Sequence, residues 1–282
     1  MIKRSFQEWI KDEAPRLAAA LAFYTVFSIA PLLVIIIGVA GFVVGEQAVH
    51  GKIVFQIKGL IGAQGAEIIQ TAIASTQKGG TNLQATIVGF ITLLIGASGV
   101  FAELHADLNK MWNVKPKPKQ GILFFFKTRF LSLGIVIVIG FLLLVSLIIS
   151  AALSYFGNYI TNLNKDFYVI LWIANYIVSF GVITILFAAI YKYLPDANIR
   201  WYDAWVGASV TTLLFLIGKF LISFYLAKSS IASSFGAAGS LILMLLWIYY
   251  SSQILFFGAE FTKIQASMRG PGIPPAKYAI KT

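Results

Sequence analysis

Apolar residues dominate six stretches of the chain, at 17–44, 83–101, 130–156, 168–194, 204–227 and 237–260. Each stretch is long enough to cross a bilayer core of about 30 Å as a helix. No ten-residue alternation typical of a membrane barrel occurs, and backbone groups in lipid must be satisfied within the segment. The pattern therefore predicts an all-α fold, a polytopic membrane bundle of six transmembrane helices.

The segments between and after these stretches differ in pattern. Residues 45–82 place apolar positions at helical spacing, which predicts short amphipathic helices in the first outer connection, either as a cap over the bundle or as a lid over a cavity. The end of the chain, "RGPGIPPAKYAIKT", is rich in Pro and Gly. We therefore expect residues 1–262 to form one membrane domain and residues 263–282 to form a disordered cytoplasmic tail.

Composition and charge agree with a membrane protein. Of the 282 residues 59% are hydrophobic and 12% are charged, and the mean hydropathy is +0.83. Sixteen Lys and Arg residues fall on the side that carries both termini and five on the other side. The positive-inside rule therefore predicts that both termini are cytoplasmic. Basic cytoplasmic loops beside anionic lipid also account for the net charge of +11, so no nucleic-acid partner is expected.

The first apolar stretch carries a polar face. Tyr24, Ser28 and Pro31 are spaced i, i+4 and i+7, so they share one side of a helix. Pro31 removes a backbone hydrogen bond, and the carbonyls that it frees need protein or water as partners. This face is predicted to line a cavity, and the alternative is a kink that serves packing alone.

Lys219 is a charged residue inside a predicted span. A central charge costs of order 2.5–3.5 kcal/mol on insertion scales, and such residues usually mark a transport pathway. We expect Lys219 to contribute to a binding site. The alternative is that its ammonium group extends outward to the lipid headgroups.

The last predicted span carries Gln253 and Glu260. Their spacing of seven residues places them on nearly the same face of a helix. Glu260 is predicted to face the bundle and to form an ion pair with Arg16, while Gln253 lies in a cavity open to the cytoplasm. The alternative is that Glu260 ends the helix in water or pairs with Lys263 one turn further on.

Several kinds of chemistry are not expected. The chain has no cysteine, which excludes thiol chemistry and disulfides. His50 and His105 are predicted on opposite sides of the membrane, and His105 is two positions from both Glu103 and Asp107, so it faces away from them on a helix. We therefore predict no catalytic residues, no metal site and no cofactor, and we do not expect an enzyme.

Four motifs occur in a characteristic order: "LAFYTVFSIAPLL", "ADLNKMWNV", "YKYLPD" with "VGA", and "SSFGAAGSLILMLLWIYYSSQILFFGAEFT". Together they resemble the YihY/BrkB family of bacterial inner-membrane proteins over essentially the whole chain. The resemblance implies a multi-pass protein of the bacterial cytoplasmic membrane with six helices and both termini inside. It also implies a function described only by a virulence and serum-resistance label, by suggestions of lipid or ion transport, and by a ribonuclease BN label on some members.

The expected function follows from the polar groups within the spans. Because such groups usually mark a pathway, we expect a transporter or lipid-translocating protein with an inward-open polar cavity, whose partners are membrane lipids and a lipid or ion substrate. The alternative is a non-transporting structural or envelope-assembly protein, in which polar residues only hold helices together. Ribonuclease activity is not expected, because the acids and histidines have no nuclease spacing. The oligomeric state is left open.

Overall fold

The computed structural model describes residues 1–28, 99–117, 167–228 and 237–282, and nearly all regular structure in these ranges is helical. The predicted all-α class is confirmed at this level. The six-span count and the cytoplasmic termini remain predictions. Several predicted features lie outside the described residues: Pro31, the outer connection at 45–82, the span at 83–101 except for residues 99–101, and the span at 130–156. The elements are α1 (Ile2–Lys11), α2 (14–28), α3 (99–111), β1 (Val114–Pro116), α4 (Phe167–Tyr193), α5 (Trp201–Lys228), α6 (Ala237–Arg269) and β2 (Ala279–Lys281).

Two of these helices contain segments that are long and apolar enough to cross a membrane, judged by length and composition: Tyr176–Tyr193 in α4 and Trp201–Leu221 in α5. The long helix α6 has 33 residues and is therefore roughly 50 Å long at 1.5 Å per residue. It is longer than a bilayer core of about 30 Å, and its last turns carry polar residues such as Lys263 and Gln265.

The chain termini meet at one end of this bundle, which we call the terminal end. Helix α1 packs against α6, and β2 pairs with β1 in an antiparallel ladder with Val114 opposite Lys281. The loop between α4 and α5 lies at the same end, because Ala197 bridges to Pro275. The opposite end of the bundle is called the far end.

The last residues differ from the prediction of a disordered tail. Helix α6 continues to Arg269, and the segment after it is held by backbone hydrogen bonds, including Thr282 N to Asn113 O at 2.7 Å and Asn198 N to Pro274 O at 2.8 Å. Pro and Gly content indicates a break in helix, which does occur at 270. It does not reveal partners more than 70 residues away in sequence, and these partners order the tail.

Helices α5 and α6 approach each other closely at two glycines. Each helix carries a Gly-xxx-Thr motif, Gly207 with Thr211 and Gly258 with Thr262, and each glycine faces the threonine of the other helix. A Cβ built on either glycine would lie 1.8 Å from that threonine's Oγ1. The threonine hydroxyls donate to the Gly207 and Gly258 carbonyls of their own helices at 2.8 and 2.7 Å. Small residues thus let the two backbones touch, as is typical of membrane helices.

Three aromatic side chains from other elements donate hydrogen bonds to backbone carbonyls of α6. Trp9 of α1 donates through Nε1 to Gln253 O at 3.2 Å, and Tyr191 of α4 donates through its hydroxyl to Leu255 O at 2.7 Å. Trp112, just after α3, donates through Nε1 to Ala259 O at 3.2 Å. Helix α6 is therefore the element on which the terminal end is assembled.

The α5–α6 contact generates a stability prediction. Gly258→Ala should lower the free energy of unfolding by about 1–3 kcal/mol, because the new methyl group would overlap Thr211 Oγ1 and the Tyr191 hydroxyl, 1.8 and 2.3 Å away. The matched control is Gly181→Ala in α4, where nothing lies within 4 Å and alanine is the better helix former. Unfolding midpoints in detergent should fall for the first variant and be unchanged or higher for the second. Equal midpoints would contradict this description of the contact.

Candidate functional site

A cavity of about 770 Å³ lies between α4, α5 and α6. Its wall is mostly apolar and aromatic, with several hydroxyl groups and one charged side chain. The lining residues are Tyr176, Ser179, Val182, Ile183, Leu186, Phe187, Phe215, Leu216, Lys219, Trp247, Ile248, Ser251, Ser252 and Leu255.

Lys219 is the charged member of this lining. It belongs to α5, about 27 Å along the helix from Trp201, which places it toward the far end. Ser251 and Ser252 use their hydroxyl protons within α6, donating to Trp247 O and Ile248 O at 2.8 Å each. The oxygens of these two serines remain hydrogen-bond acceptors. Lys219 is the lining residue that carries a positive charge.

The cavity does not reach the terminal end within the described residues. Tyr191, Thr211 and Gly258 fill the space between the three helices there, with Tyr191 fully buried and its hydroxyl 2.8 Å from Thr211 Oγ1. An inward-open cavity was expected. The small residues that close the terminal end bring its helices into contact, and a cavity open to the cytoplasm stays a prediction.

A second polar site lies at the terminal end, between α1 and α6. Glu260 is 0% exposed, and Lys263 Nζ lies 3.2 Å from its carboxylate. The same ammonium group lies 3.1 Å from Asp12 Oδ2 and 3.9 Å from Glu8 Oε2. Three carboxylates thus surround one lysine, and we call these four residues the charged cluster.

The charged cluster has the residue types of a cation site. Carboxylate oxygens of Glu8, Asp12 and Glu260 all lie within 4.8 Å of one another. Such a group would suit a hard cation that binds oxygen ligands. The ammonium group of Lys263 lies among these oxygens and already supplies a positive charge. The arrangement is therefore a lysine-centred ion-pair network that fastens α1 to α6.

The predicted ion pair between Arg16 and Glu260 is not formed. Arg16 is 69% exposed and pairs with Glu13 at 2.5 Å, while Glu260 pairs with Lys263. Glu13 has a φ of 56° and forms the turn between α1 and α2, and Lys110 of α3 also contacts it at 3.3 Å. The tight turn brings Asp12 rather than Arg16 to the buried carboxylate. The alternative partner, Lys263, is the one observed.

Glu260 faces α1 rather than the cavity, and Gln253 is not among the residues that line the cavity. The Gln253 carbonyl accepts the hydrogen bond of Trp9, and Glu260 lies beside Asp12. The cavity is lined instead by Ser251, Ser252 and Leu255, on another face of α6. The seven-residue spacing indicated the shared face correctly. It could not indicate which neighbour the face contacts.

Tyr24 and Ser28 lie where α2 meets the start of α3. A Cβ built on Gly99 would be 3.4 Å from Ser28 Oγ and 3.9 Å from the Tyr24 ring. Ser28 is buried and Tyr24 is exposed, and neither lines the cavity with Lys219. Whether they line another cavity remains a prediction, because their neighbour Pro31 lies outside the described residues.

The α4–α5 loop is held by a buried polar network that the sequence did not indicate. His105 Nε2 lies 3.2 Å from Asp196 Oδ1, and Asn109 Nδ2 donates to Asp196 Oδ2 at 2.9 Å. The Asp196 amide donates to Asn109 Oδ1 at 2.8 Å. Burial alone would raise the pKa of Asp196, but hydrogen bonds from His105, Asn109 and Tyr278 outweigh it, and the pKa is lowered. The carboxylate is therefore ionised and acts as the acceptor that ties the loop to α3.

Asp107, on another face of α3, has a different environment. Its Oδ2 is buried without a hydrogen-bond partner in the described structure. Burial, and secondarily the charge of Glu103, raises its pKa from an ordinary 3.8 to about 7, although Lys110 partly opposes the shift. The folded state therefore favours the protonated acid.

This shift predicts a pH-dependent stability. A folded-state pKa raised above the unfolded value contributes stability below about pH 4, and that contribution is lost as the pH rises toward about 7. Asp107→Asn, which mimics the protonated acid, should therefore raise the unfolding midpoint more at pH 8 than at pH 4. The midpoints of both proteins in detergent at the two pH values test this. An equal effect at both pH values would contradict it.

The charged cluster predicts an order of mutational effects. Lys263→Gln should destabilise the protein by about 3–5 kcal/mol, because it leaves buried carboxylates uncompensated. The control Arg16→Gln removes an exposed pair and should cost less than about 1 kcal/mol. Adding Glu260→Gln to Lys263→Gln should recover stability. The unfolding midpoints of the two variants test this order. An Arg16→Gln variant whose midpoint falls as far as that of Lys263→Gln would contradict this account of the cluster.

Comparison with known proteins places the sequence in a family. The sequence profile described as "Virulence factor BrkB" matches residues 5–278. A UPF0761 membrane protein of Alcanivorax borkumensis is 25% identical over 269 residues, and the match covers 93% of this chain and 59% of that protein. A UPF0761 membrane protein of Actinobacillus pleuropneumoniae is 26% identical over 271 residues, covering 93% and 91% respectively.

A further relative, the UPF0761 membrane protein of Tolumonas auensis, is 26% identical over 257 residues, which is 89% of this chain and 80% of that protein. The chain thus spans only 59% of the Alcanivorax protein but most of the other two. No solved structure matches the chain. The profile match covers nearly every residue from α1 to the tail, and the chain therefore belongs to the BrkB virulence-factor family of membrane proteins.

Proposed function

We propose that this membrane protein translocates an amphiphilic substrate, and that the cavity between α4, α5 and α6 binds it. The observation that carries the proposal is that Lys219, an exposed residue, borders an apolar, aromatic cavity of about 770 Å³. Ligand pockets typically have volumes of about 300–1,000 Å³, with apolar walls and a few polar groups that fix orientation. A lipid with an anionic headgroup fits this combination of charge and apolar wall.

The positive charge of Lys219 supports a substrate whose polar part is anionic. Among the described residues Lys219 has no ion-pair partner, and the lining of the cavity contains no carboxylate. Placing a cation in a span is costly, and a lysine that only extends to the headgroups would not need a cavity beside it. The acyl chains would lie against aromatic residues such as Phe215 and Trp247.

The wider setting forms part of the same proposal. We propose that the protein lies in the bacterial cytoplasmic membrane with both termini in the cytoplasm, and that its partners are membrane lipids and a lipid or ion substrate. It uses no cofactor, catalyses no reaction and binds no nucleic acid. The closed terminal end means that transport would require the contacts of Tyr191 and Gly258 to open.

A non-transporting structural or envelope-assembly role is the second candidate. The observation that favours it is the closure of the terminal end, where Tyr191, Thr211 and Gly258 pack without space for a substrate. In this case the polar groups only hold the helices together. The two candidates differ in whether purified protein moves lipid or ions at all.

The test is lipid translocation in vesicles. Purified protein in liposomes with fluorescent phosphatidylglycerol or phosphatidylcholine should make inner-leaflet lipid accessible to a membrane-impermeant quencher, faster for the anionic lipid. Lys219→Met should slow the anionic lipid about tenfold, because a charge-assisted hydrogen bond is lost. Lys219→Arg should retain most of the rate.

Two controls complete this experiment. Lys115→Met removes an exposed lysine of β1, outside the cavity, and should leave the rate unchanged. Parallel vesicles with Na⁺ or H⁺ gradients test ion movement. Folded protein that moves neither lipid nor ions above the level of protein-free vesicles would contradict transport and favour the structural role.

A further inference from the structure

Helix α1 presents an apolar face that no described part of the bundle covers. Ile2, Phe6 and Ile10 are spaced by four residues, so they share one side of the helix. They are 70%, 51% and 55% exposed. The helix is ten residues long and its polar residues lie on the other sides, which is the pattern of an amphipathic interfacial helix.

The orientation of this face is fixed by contacts on the adjacent side of α1. Trp9 donates to the Gln253 carbonyl, Asp12 pairs with Lys263, and Ser5 is completely buried. These contacts hold α1 along α6 and prevent the helix from turning its apolar face inward. The face therefore points away from the described part of the bundle.

Two basic residues lie on α1 outside its buried side, Lys3 at the edge of the apolar face and Arg4 on the opposite, polar side of the helix. Lys3 and Arg4 form no ion pair with any acid in the described ranges, whereas Lys11 pairs with Glu8 at 3.3 Å. Cations on the polar side and at the edge of an amphipathic helix complement a surface with anionic groups above an apolar layer.

The terminal end also carries the aromatic and basic residues that mark a membrane interface. Arg269 lies 4.3 Å from the ring centre of Tyr202, and Lys192 lies 5.9 Å from that of Trp201. Aromatic and basic residues of this kind are enriched at the level of the lipid headgroups. Helix α1 is anchored to α6 between Gln253 and Lys263, on the side of the bundle that leads to this end.

We propose that α1 lies in the membrane interface and binds anionic phospholipid, with Ile2, Phe6 and Ile10 in the acyl region and Lys3 and Arg4 on the headgroup phosphates. This surface is separate from the cavity with Lys219. It would serve equally in a transporter and in a structural protein, so the inference does not depend on the proposed function.

Single cysteines test the position of the face, because the chain has none of its own. Full-length Phe6→Cys and Gln7→Cys, each carrying a bimane fluorophore, are reconstituted in nanodiscs of phosphatidylcholine with phosphatidylglycerol. Spin-labelled lipid should quench the fluorophore at position 6, and water-soluble iodide should quench it at position 7, which lies about 100° further around the helix. Ile2→Cys provides a second apolar site in case the loss of Phe6, which stacks on Trp9, disturbs α1.

The lipid dependence tests the anionic preference. Removing phosphatidylglycerol, or introducing Lys3→Gln with Arg4→Gln, should lower the ratio of lipid-inserted to uninserted α1 about fivefold for each charge interaction lost. Iodide quenching at positions 2 and 6 equal to that at position 7 would overturn the proposal. Lipid quenching that is insensitive to both changes would overturn the anionic part. Protection from both quenchers would assign the face to a protein partner instead.

Discussion

The close contact between α5 and α6 is the constraint on which the rest of the described structure depends. In lipid, apolar side chains gain little by leaving their surroundings, so helices associate through close packing and hydrogen bonds. The reciprocal pairing of Gly207 with Thr262 and of Gly258 with Thr211 provides both. Because the backbones approach so closely, Tyr191 of α4 reaches the Leu255 carbonyl and Thr211 together. The three helices are thereby joined at one end.

The cavity follows from what happens further along the same helices. Toward the far end the glycine of α5 is Gly218, and its neighbour on α6 is the ring of Tyr250 rather than a threonine. The rings of Phe215 and Trp247 meet at 5.3 Å beside it. Large aromatic side chains separate the helices here, where small side chains such as threonine would allow closer contact. Lys219 lies in the wall of the resulting cavity. The same interface between α5 and α6 therefore has small residues where the helices touch at the terminal end and aromatic residues where the cavity lies.

The sequence predicted the elements better than their partners. Apolar length alone indicated α4, α5 and α6, since each must satisfy its backbone internally. The spacing of Gln253 and Glu260 also indicated a shared helix face. The partner of Glu260 was assigned incorrectly because a helix pattern does not encode the turn at Glu13, which determines whether Asp12 or Arg16 reaches α6. The Asn109–Asp196 hydrogen bond spans 87 residues, and the strand pair β1–β2 is similarly remote, so neither produces a local pattern.

A double-mutant cycle across the α5–α6 contact tests this account most directly. Unfolding free energies are measured in detergent for Gly258→Ala, Thr211→Ala and the double variant. The account predicts that the double variant is more stable than Gly258→Ala alone, with a coupling of at least about 0.5 kcal/mol, because removing Thr211 Oγ1 makes room for the new methyl group. Additive effects of the two substitutions would contradict the claim that these residues touch and that their contact organises the bundle.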